Sequence, residues 1–342
     1  KNNLKVIDIK VEERPTGEIS AGAGVGTDGG SFAFNIVENN WLGEGKKVVL
    51  ELEVSEDSVK GQINYQNPNY DLLGNSLNYS LTNVTNDKPD QGYENKLLST
   101  GVRTSFEQFK DIYTSLGLDL SYDDLRTTSN ASSSLKKQEG EFVELSANYG
   151  FTSDQRDRTF MPTNGSIVKF QQTLPISADK PFIGNTFSSS SYHTFNENVV
   201  GAAKFYLSTI NGLDDENVRI SKRKSLSTSR LRGFEKGKIG PVDSDDHIGG
   251  NYAAAINFEA NLPNLLPEST NTDISLFFDT GNVWGVDYDD TLNESNKIRS
   301  STGVAASWIS PLGPMTFIFA QNLSKASTDK TEFFNFNLGT SF

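Results

Sequence analysis

A large antiparallel β-barrel that crosses a membrane is the fold class this sequence predicts. Three observations carry the prediction: apolar side chains alternate strictly every second residue, several alternating segments run ten residues or more, and charged residues occupy the opposite parity of the same segments. Period two puts successive side chains on opposite sheet faces. A tilted membrane strand needs ~9–11 residues, whereas globular strands usually have ~5–6. Glu, Asp, Asn and Lys on the second face suit a wet lumen and would be costly in a dry core. An amphipathic sandwich shares the alternation and stays open as the alternative at this point.

The pattern is clearest in six places. Val48, Leu50, Leu52 and Val54 oppose Lys47, Glu51, Glu53 and Ser55. Ile112, Thr114, Leu116, Leu118, Leu120 and Tyr122 oppose Tyr113, Ser115, Gly117, Asp119 and Ser121. Val143, Leu145, Ala147, Tyr149 and Phe151 form a third set, and Tyr252, Ala254, Ile256, Phe258 and Ala260 a fourth, opposite Asn257 and Glu259. Ile274, Leu276 and Phe278 oppose Ser275 and Asp279, and Phe334, Phe336 and Leu338 continue in step to Phe342. Trp41, Tyr65, Tyr122, Trp284 and Trp308 fall near strand ends, where an interfacial girdle belongs.

These segments predict about sixteen strands, the even number expected of a single-chain bacterial barrel. The expected spans are 18–27, 30–38, 46–56, 58–66, 75–84, 93–108, 111–126 and 139–152, followed by 163–175, 188–199, 201–210, 248–261, 271–280, 299–309, 313–323 and 333–342. With the N-terminus periplasmic, connections after odd-numbered strands point outward. The longest, 211–247, is then the sixth outward loop, 281–298 is also outside, and the turn Ser310-Pro311-Leu312-Gly313-Pro314 is periplasmic.

Composition excludes other classes. No run approaches the ~18 apolar residues of a helical span. The net charge of -13 leaves no basic surface for nucleic acid, and the absence of cysteine removes disulfides, thiolate metal sites and thiol nucleophiles. The acidic stretches Asp243 to Asp246 and Asp287 to Asp290 lack the ligand spacing of a calcium loop and read as solvated loops. His193 and His247 are the only histidines, and neither sits beside a nucleophile motif, so no enzyme and no cofactor is expected. Lys1 to Lys10 carries a strand-like Leu4, Val6, Ile7, Ile9 pattern in place of a basic stretch and apolar core, so a processed or partial chain is expected.

Six ordered motifs go further. Glu12-Glu13-Arg14-Pro15-Thr16-Gly17 leads into a glycine-rich strand and Asp28-Gly29-Gly30, and Asp157-Arg158-Phe160-Pro162-Thr163-Gly165 marks a mid-chain turn. Leu231-Arg232-Gly233-Phe234 lies in the longest loop, and Gly249-Gly250-Asn251 opens the next strand. Phe277-Phe278-Asp279-Thr280-Gly281-Asn282-Val283-Trp284 and Arg299-Ser300-Ser301-Thr302-Gly303 follow, the latter leading to Trp308-Ile309-Ser310-Pro311-Leu312-Gly313-Pro314 and an aromatic C-terminus. Along its whole length the chain resembles the barrels of the BamA family of outer-membrane protein assembly factors, within the bacterial surface antigen superfamily. Leu231 stands where that family more often has Val or Ile.

The resemblance implies a periplasmic N-terminus, with residues 1–16 as the end of the last periplasmic POTRA domain or a linker and 17–342 as the barrel. It implies no catalysis, but insertion of unfolded outer-membrane clients into the lipid bilayer, with periplasmic accessory lipoproteins as further partners. A relative that exports a secreted protein or assembles autotransporters, and a passive porin, are the alternatives. It also implies that the sixth loop folds into the lumen, where Arg232, with Gly233 and Phe234, contacts the wall acids Glu259 and Asp279. Parity supports this independently, since both acids point inward on neighbouring strands; a surface arginine beside Lys222, Arg223, Lys224 and Arg230 is the plainer reading. A lateral seam is expected where Gly22, Gly24 and Gly26 of the first strand meet Phe334, Phe336 and Phe342 of the last. Glycine there either weakens the edge or relieves crowding in a curved wall.

Overall fold

The computed structural model describes residues 10, 12, 14–310 and 313–341. The segment with Leu4, Val6, Ile7 and Ile9, the Pro311-Leu312 turn centre and the terminal Phe342 lie outside the described residues.

Alternation becomes a closed wall. The strands are β1 (Gly17–Gly26), β2 (Gly29–Trp41), β3 (Lys46–Ser55), β4 (Ser58–Asn67), β5 (Ser76–Lys88), β6 (Tyr93–Phe109), β7 (Ile112–Thr127) and β8 (Gly140–Asp154). They continue as β9 (Gly165–Ala178), β10 (Phe182–Asn196), β11 (Val199–Gly212), β14 (Tyr252–Leu262), β15 (Thr272–Trp284), β16 (Arg299–Ser310), β17 (Gly313–Ser324) and β18 (Phe334–Ser341). Between β11 and β14, the two-residue strands β12 (Val242–Asp243) and β13 (Asp246–His247) pair only with each other. The other sixteen close into one antiparallel barrel, with β1 against β18.

The face that alternation assigned to lipid is exposed: Leu116, Leu118 and Leu120 are 46–47% accessible and no second sheet covers them. That removes the sandwich alternative, because a sandwich buries its apolar face against a partner sheet. Opposite parity carries the buried polar residues, including Asn95, Asp123, Glu144, Asn257 and Asp279. A side-chain chain crosses the inner wall from Ser58 to Asn86 (2.9 Å), Asn86 to Asn95 (2.9 Å) and Asn95 to Asp123 (2.6 Å), and ends on Ser221 of the long loop (2.9 Å). Asn86, Asn95 and Asp123 thereby satisfy one another along the inner wall.

Several spans differ from expectation. β5 runs on to Lys88, since Asn86 is held inside that chain. β10 begins at Phe182, six residues earlier than expected, and β9 extends to Ala178. The polar run there hides the strand because cross-strand bonds (Gln172 to Asn185, 2.5 Å; Asn185 to Thr209, 3.2 Å) satisfy it in place of apolar packing. β14 begins at Tyr252 and not at 248, because Gly249 at φ +67° bends the chain and Gly250 bridges back to Lys224.

Candidate functional site

The long connection between Gly212 and Tyr252 carries no regular wall strand of its own, so its backbone and charges need partners elsewhere. It finds them inside the barrel. Arg219 and Lys222 reach Glu144 of β8 (3.5 and 3.3 Å), and Arg223 meets Asp287 (2.6 Å). Ile220 and Ile248 pack with Tyr93, Leu125, Leu135, Phe142 and Val286. Leu135 belongs to α1 (Ser133–Lys136), a single turn between β7 and β8. The acidic stretches expected to be solvated are used here: Asp243 accepts from Ser132 (2.6 Å) and Tyr288 (2.7 Å), and Asp287 accepts from the Val218 amide (2.6 Å).

At the far end of this path the loop meets β14 and β15. Arg232 is 7% exposed, and its guanidinium forks onto Asp279, Nε to Oδ2 at 2.7 Å and Nη2 to Oδ1 at 2.6 Å. Its Nη1 lies 2.9 Å from Glu259, its amide donates to Asp279 (3.1 Å), and the guanidinium carbon sits 3.8 Å from the Phe277 ring centre. Asp279 is fully buried and takes a further bond from Asn257 (2.7 Å), while Lys204 of β11 holds the second oxygen of Glu259 (2.6 Å). Two cations thus face two carboxylates. The planar fork matches a carboxylate in a way a lysine cannot.

Charge balance shows in the guanidinium itself. Burial pushes the basicity of Arg219, Arg223 and Arg230 below the usual arginine value. Burial pulls Arg232 the same way, but the bonds and charges of Asp279 and Glu259 outweigh it and hold the group above its ordinary value. Arg232 is paired more strongly than its burial costs.

The neighbouring residues fix the loop backbone. Ser301 donates to the Arg232 carbonyl (2.5 Å) and Asn322 to the Gly233 carbonyl (2.8 Å). Gly233 has φ +87°, and a Cβ there would stand 3.0 Å from Ala320 Cβ and 3.4 Å from Ser301 Cβ. Gly233→Ala is therefore expected to destabilise loop docking by about 1–2 kcal/mol from the backbone conformation alone, read as faster protease cleavage within 213–251. Phe234, 2% exposed, packs with Leu226, Leu231, Ile239, Ala253, Ala255 and Val283. The structure thus brings together Arg232, Gly233, Phe234, Glu259 and Asp279. It adds Lys204, Asn257, Phe277, Ser301 and Asn322, whose inward parity was legible while their partners were not.

Among the described residues the seam joins β1 to β18 over five register pairs, Gly22 with Ser341, Ala23 with Thr340, Gly24 with Gly339, Val25 with Leu338 and Gly26 with Asn337. By contrast, β1 meets β2 over ten, while β17 meets β18 over five as well. Gly26 is sterically demanded, since a Cβ would lie 2.5 Å from the Phe336 carbonyl oxygen, whereas a Cβ at Gly24 would meet Ser31 Oγ at 2.7 Å, a hydroxyl that can rotate aside. Crowding thus explains Gly26, and the short register is a separate feature. The Phe336 carbonyl accepts from Thr27 (3.1 Å). Phe334 turns toward β17, 5.0 Å from the Phe319 ring. A cavity of about 710 Å³ lies inside the wall at β1–β5, reaching Gly22, Gly24 and Asn337, so the lumen is open beside the seam and filled beside β14–β17.

At the mid-chain turn, the Thr163 hydroxyl and the Asn164 and Thr163 amides hold the Asp157 carboxyl down to about 2. His193 stacks edge-on to Phe195 (5.0 Å) and His247 meets the Thr328 carbonyl (3.2 Å).

Residues 40–342 match the Omp85 superfamily domain. The chain is 26% identical to the outer membrane protein assembly factor BamA of Neorickettsia risticii, over 98% of this chain and 46% of that protein. It is 24% identical to BamA of Neisseria meningitidis, over 98% and 48%. The human sorting and assembly machinery component 50 homolog is 22% identical over 70% of this chain and 52% of its own. The barrel superposes on Haemophilus ducreyi BamA lacking POTRA domains 1–3 with a TM-score of 0.88, at 24% identity over 97% of this chain and 71% of that one. CdiB from Acinetobacter baumannii gives 0.56 at 11% identity, over 95% and 59%. The chain spans about half the length of the curated relatives it matches. It is an outer-membrane barrel of sixteen strands, and it belongs to the Omp85 superfamily.

Proposed function

We propose that this barrel assembles other β-barrel proteins and inserts them into the outer membrane through the seam between β1 and β18, acting without catalysis or a cofactor. The observation that carries this is the pairing of a short seam with a loop locked inside the wall on β14 and β15. A pore benefits from uniform closure, whereas a device that admits a client strand needs one edge that separates at low cost. A parted β1 would present unpaired N–H and C=O groups, on which a client strand can add as the next strand of the sheet. Arg232, Gly233, Phe234, Glu259 and Asp279 then serve as the lock that keeps the rest of the wall in shape. Gly22, Gly24, Gly26 and Phe336 belong to the moving edge, with Phe334 bracing it against β17.

In this reading the N-terminus is periplasmic, residues 1–16 join the barrel to a periplasmic domain, and accessory lipoproteins deliver clients from that side. The names of the relatives, assembly factors and sorting and assembly machinery components, favour this over export of a secreted partner.

The test is reconstitution of the full-length protein in liposomes with an unfolded reporter barrel. Reporter insertion well above that of empty liposomes is expected, with little steady ion conductance in planar bilayers. High conductance without insertion would make the barrel a porin.

A further inference from the structure

Arg299, the first residue of β16, is fully buried and all its nitrogen atoms are engaged. Its Nε and Nη2 fork onto Asp329 (2.9 Å to Oδ2 and 2.8 Å to Oδ1), Nη1 donates to Asn282 (2.5 Å) and to the Lys297 carbonyl (3.0 Å), and Nη2 also pairs with Glu294. Asp329 is fully buried too, and its Oδ2 accepts from the Ala326 amide (2.6 Å), which shapes the turn between β17 and β18. This cluster touches neither Arg232 nor its acids.

The residues after Asp329 pair with the lock loop. Glu235 donates to the Lys330 carbonyl (3.2 Å), Lys330 to the Lys238 carbonyl (3.1 Å) and Glu332 to the Gly233 carbonyl (3.0 Å), while Phe234 bridges Thr331. Two residues later β18, the seam strand, begins at Phe334. On the other flank of the seam, Thr228 of the same loop donates to Asp28 in the turn that follows β1 (3.0 Å). One stretch of loop, 228–238, is therefore fastened to both flanks of the seam.

We infer that Arg299 is a positioning residue for the seam: by anchoring Asp329 it holds segment 330–332 against 233–238, so that lock and seam strand move as one unit. Withdrawing Arg232 from Asp279 would then peel 330–332 and the start of β18 with it, whereas without the anchor the loop would leave and β18 would stay or fray independently. This coupling rests on the seam reading given above but concerns only the barrel's own opening, so it is tested without any client.

The experiment is amide hydrogen exchange on the full-length protein in nanodiscs, comparing wild type with Arg299→Gln, the milder Asp329→Asn, Arg232→Lys, and the Arg232→Lys variant combined with each. Heat-modifiable migration on gels identifies folded barrel. Loss of a buried forked pair is expected to raise exchange about tenfold or more at Lys330–Glu332 and Phe334–Leu338, with β5–β8 unchanged. In an Arg232→Lys background the anchor variants are expected to give less than the product of the single effects, the signature of coupled sites. Arg299→Lys, which keeps charge without the fork, should restore part of the protection. Faster exchange confined to 294–299 and 326–329, with Phe334–Leu338 at the wild-type rate, would overturn the coupling and leave a local loop brace. Purely multiplicative effects, or failure of both anchor variants to form a heat-modifiable barrel, would overturn it as well.

Discussion

Arg232→Ala is expected to release the long loop from the wall and to abolish most assembly of a reporter barrel. Asp279 is fully buried and draws three of its four bonds from Arg232, so the substitution strands a carboxylate with Asn257 alone. Breaking a buried pair from one side costs about 3–5 kcal/mol, chiefly through the charge left behind. That exceeds the typical worth of any single hydrogen bond along the loop, about 1 kcal/mol. Protease digestion of 213–251 should accelerate in step with the loss of assembly. Arg232→Lys keeps the charge but can reach only one carboxylate well, so an intermediate defect is expected. The double variant Arg232→Ala with Asp279→Asn removes the stranded charge and should regain loop protection more than assembly. Wild-type assembly by Arg232→Ala would sink the lock.

The second large effect belongs to the seam. These 342 residues hold no cysteine, so within the barrel an introduced pair has no competing thiol. Val25→Cys with Leu338→Cys occupies a register pair across β1 and β18. The oxidised form is expected to lose assembly and to regain it on reduction. Ile63→Cys with Leu81→Cys, a register pair between β4 and β5, is the control that should stay active when oxidised. Among the described residues the seam has five register pairs fewer than β1–β2, roughly 5 kcal/mol at about 1 kcal/mol per net hydrogen bond. On its other side β18 is held by five pairs as well, so β18 is a weakly paired strand on both of its edges. Full activity of the oxidised seam form would leave no role for a lateral gate.

Much of the lock was legible because it depends on parity. Glu259 and Asp279 had to face inward once Phe258 and Phe278 faced out. Which inward residues meet was not legible. Lys204 carries the second oxygen of Glu259, and nothing near Lys204 in the chain announces an acid 55 residues away. Arg299 reads from sequence as one member of a strand motif, yet it anchors the turn before the seam strand. The seam glycines were ambiguous for a different reason. Absence of a side chain looks the same whether it weakens an edge or admits a close backbone, and only the approach of Phe336 to Gly26 separates the two.

By itself the sequence determined that this is a β-barrel, how many strands close it, which parity faces lipid and which loop is too long to be a turn. Each of these follows from periodicity and spacing, properties that neighbouring residues impose on one another. Tertiary structure decided where the long loop lies, which acid each cation meets, and that β1 closes the barrel against β18. Those outcomes join residues such as Arg232 and Asp279, 47 positions apart. Their partners are chosen by burial and charge balance inside the closed wall, where a lone charge cannot remain.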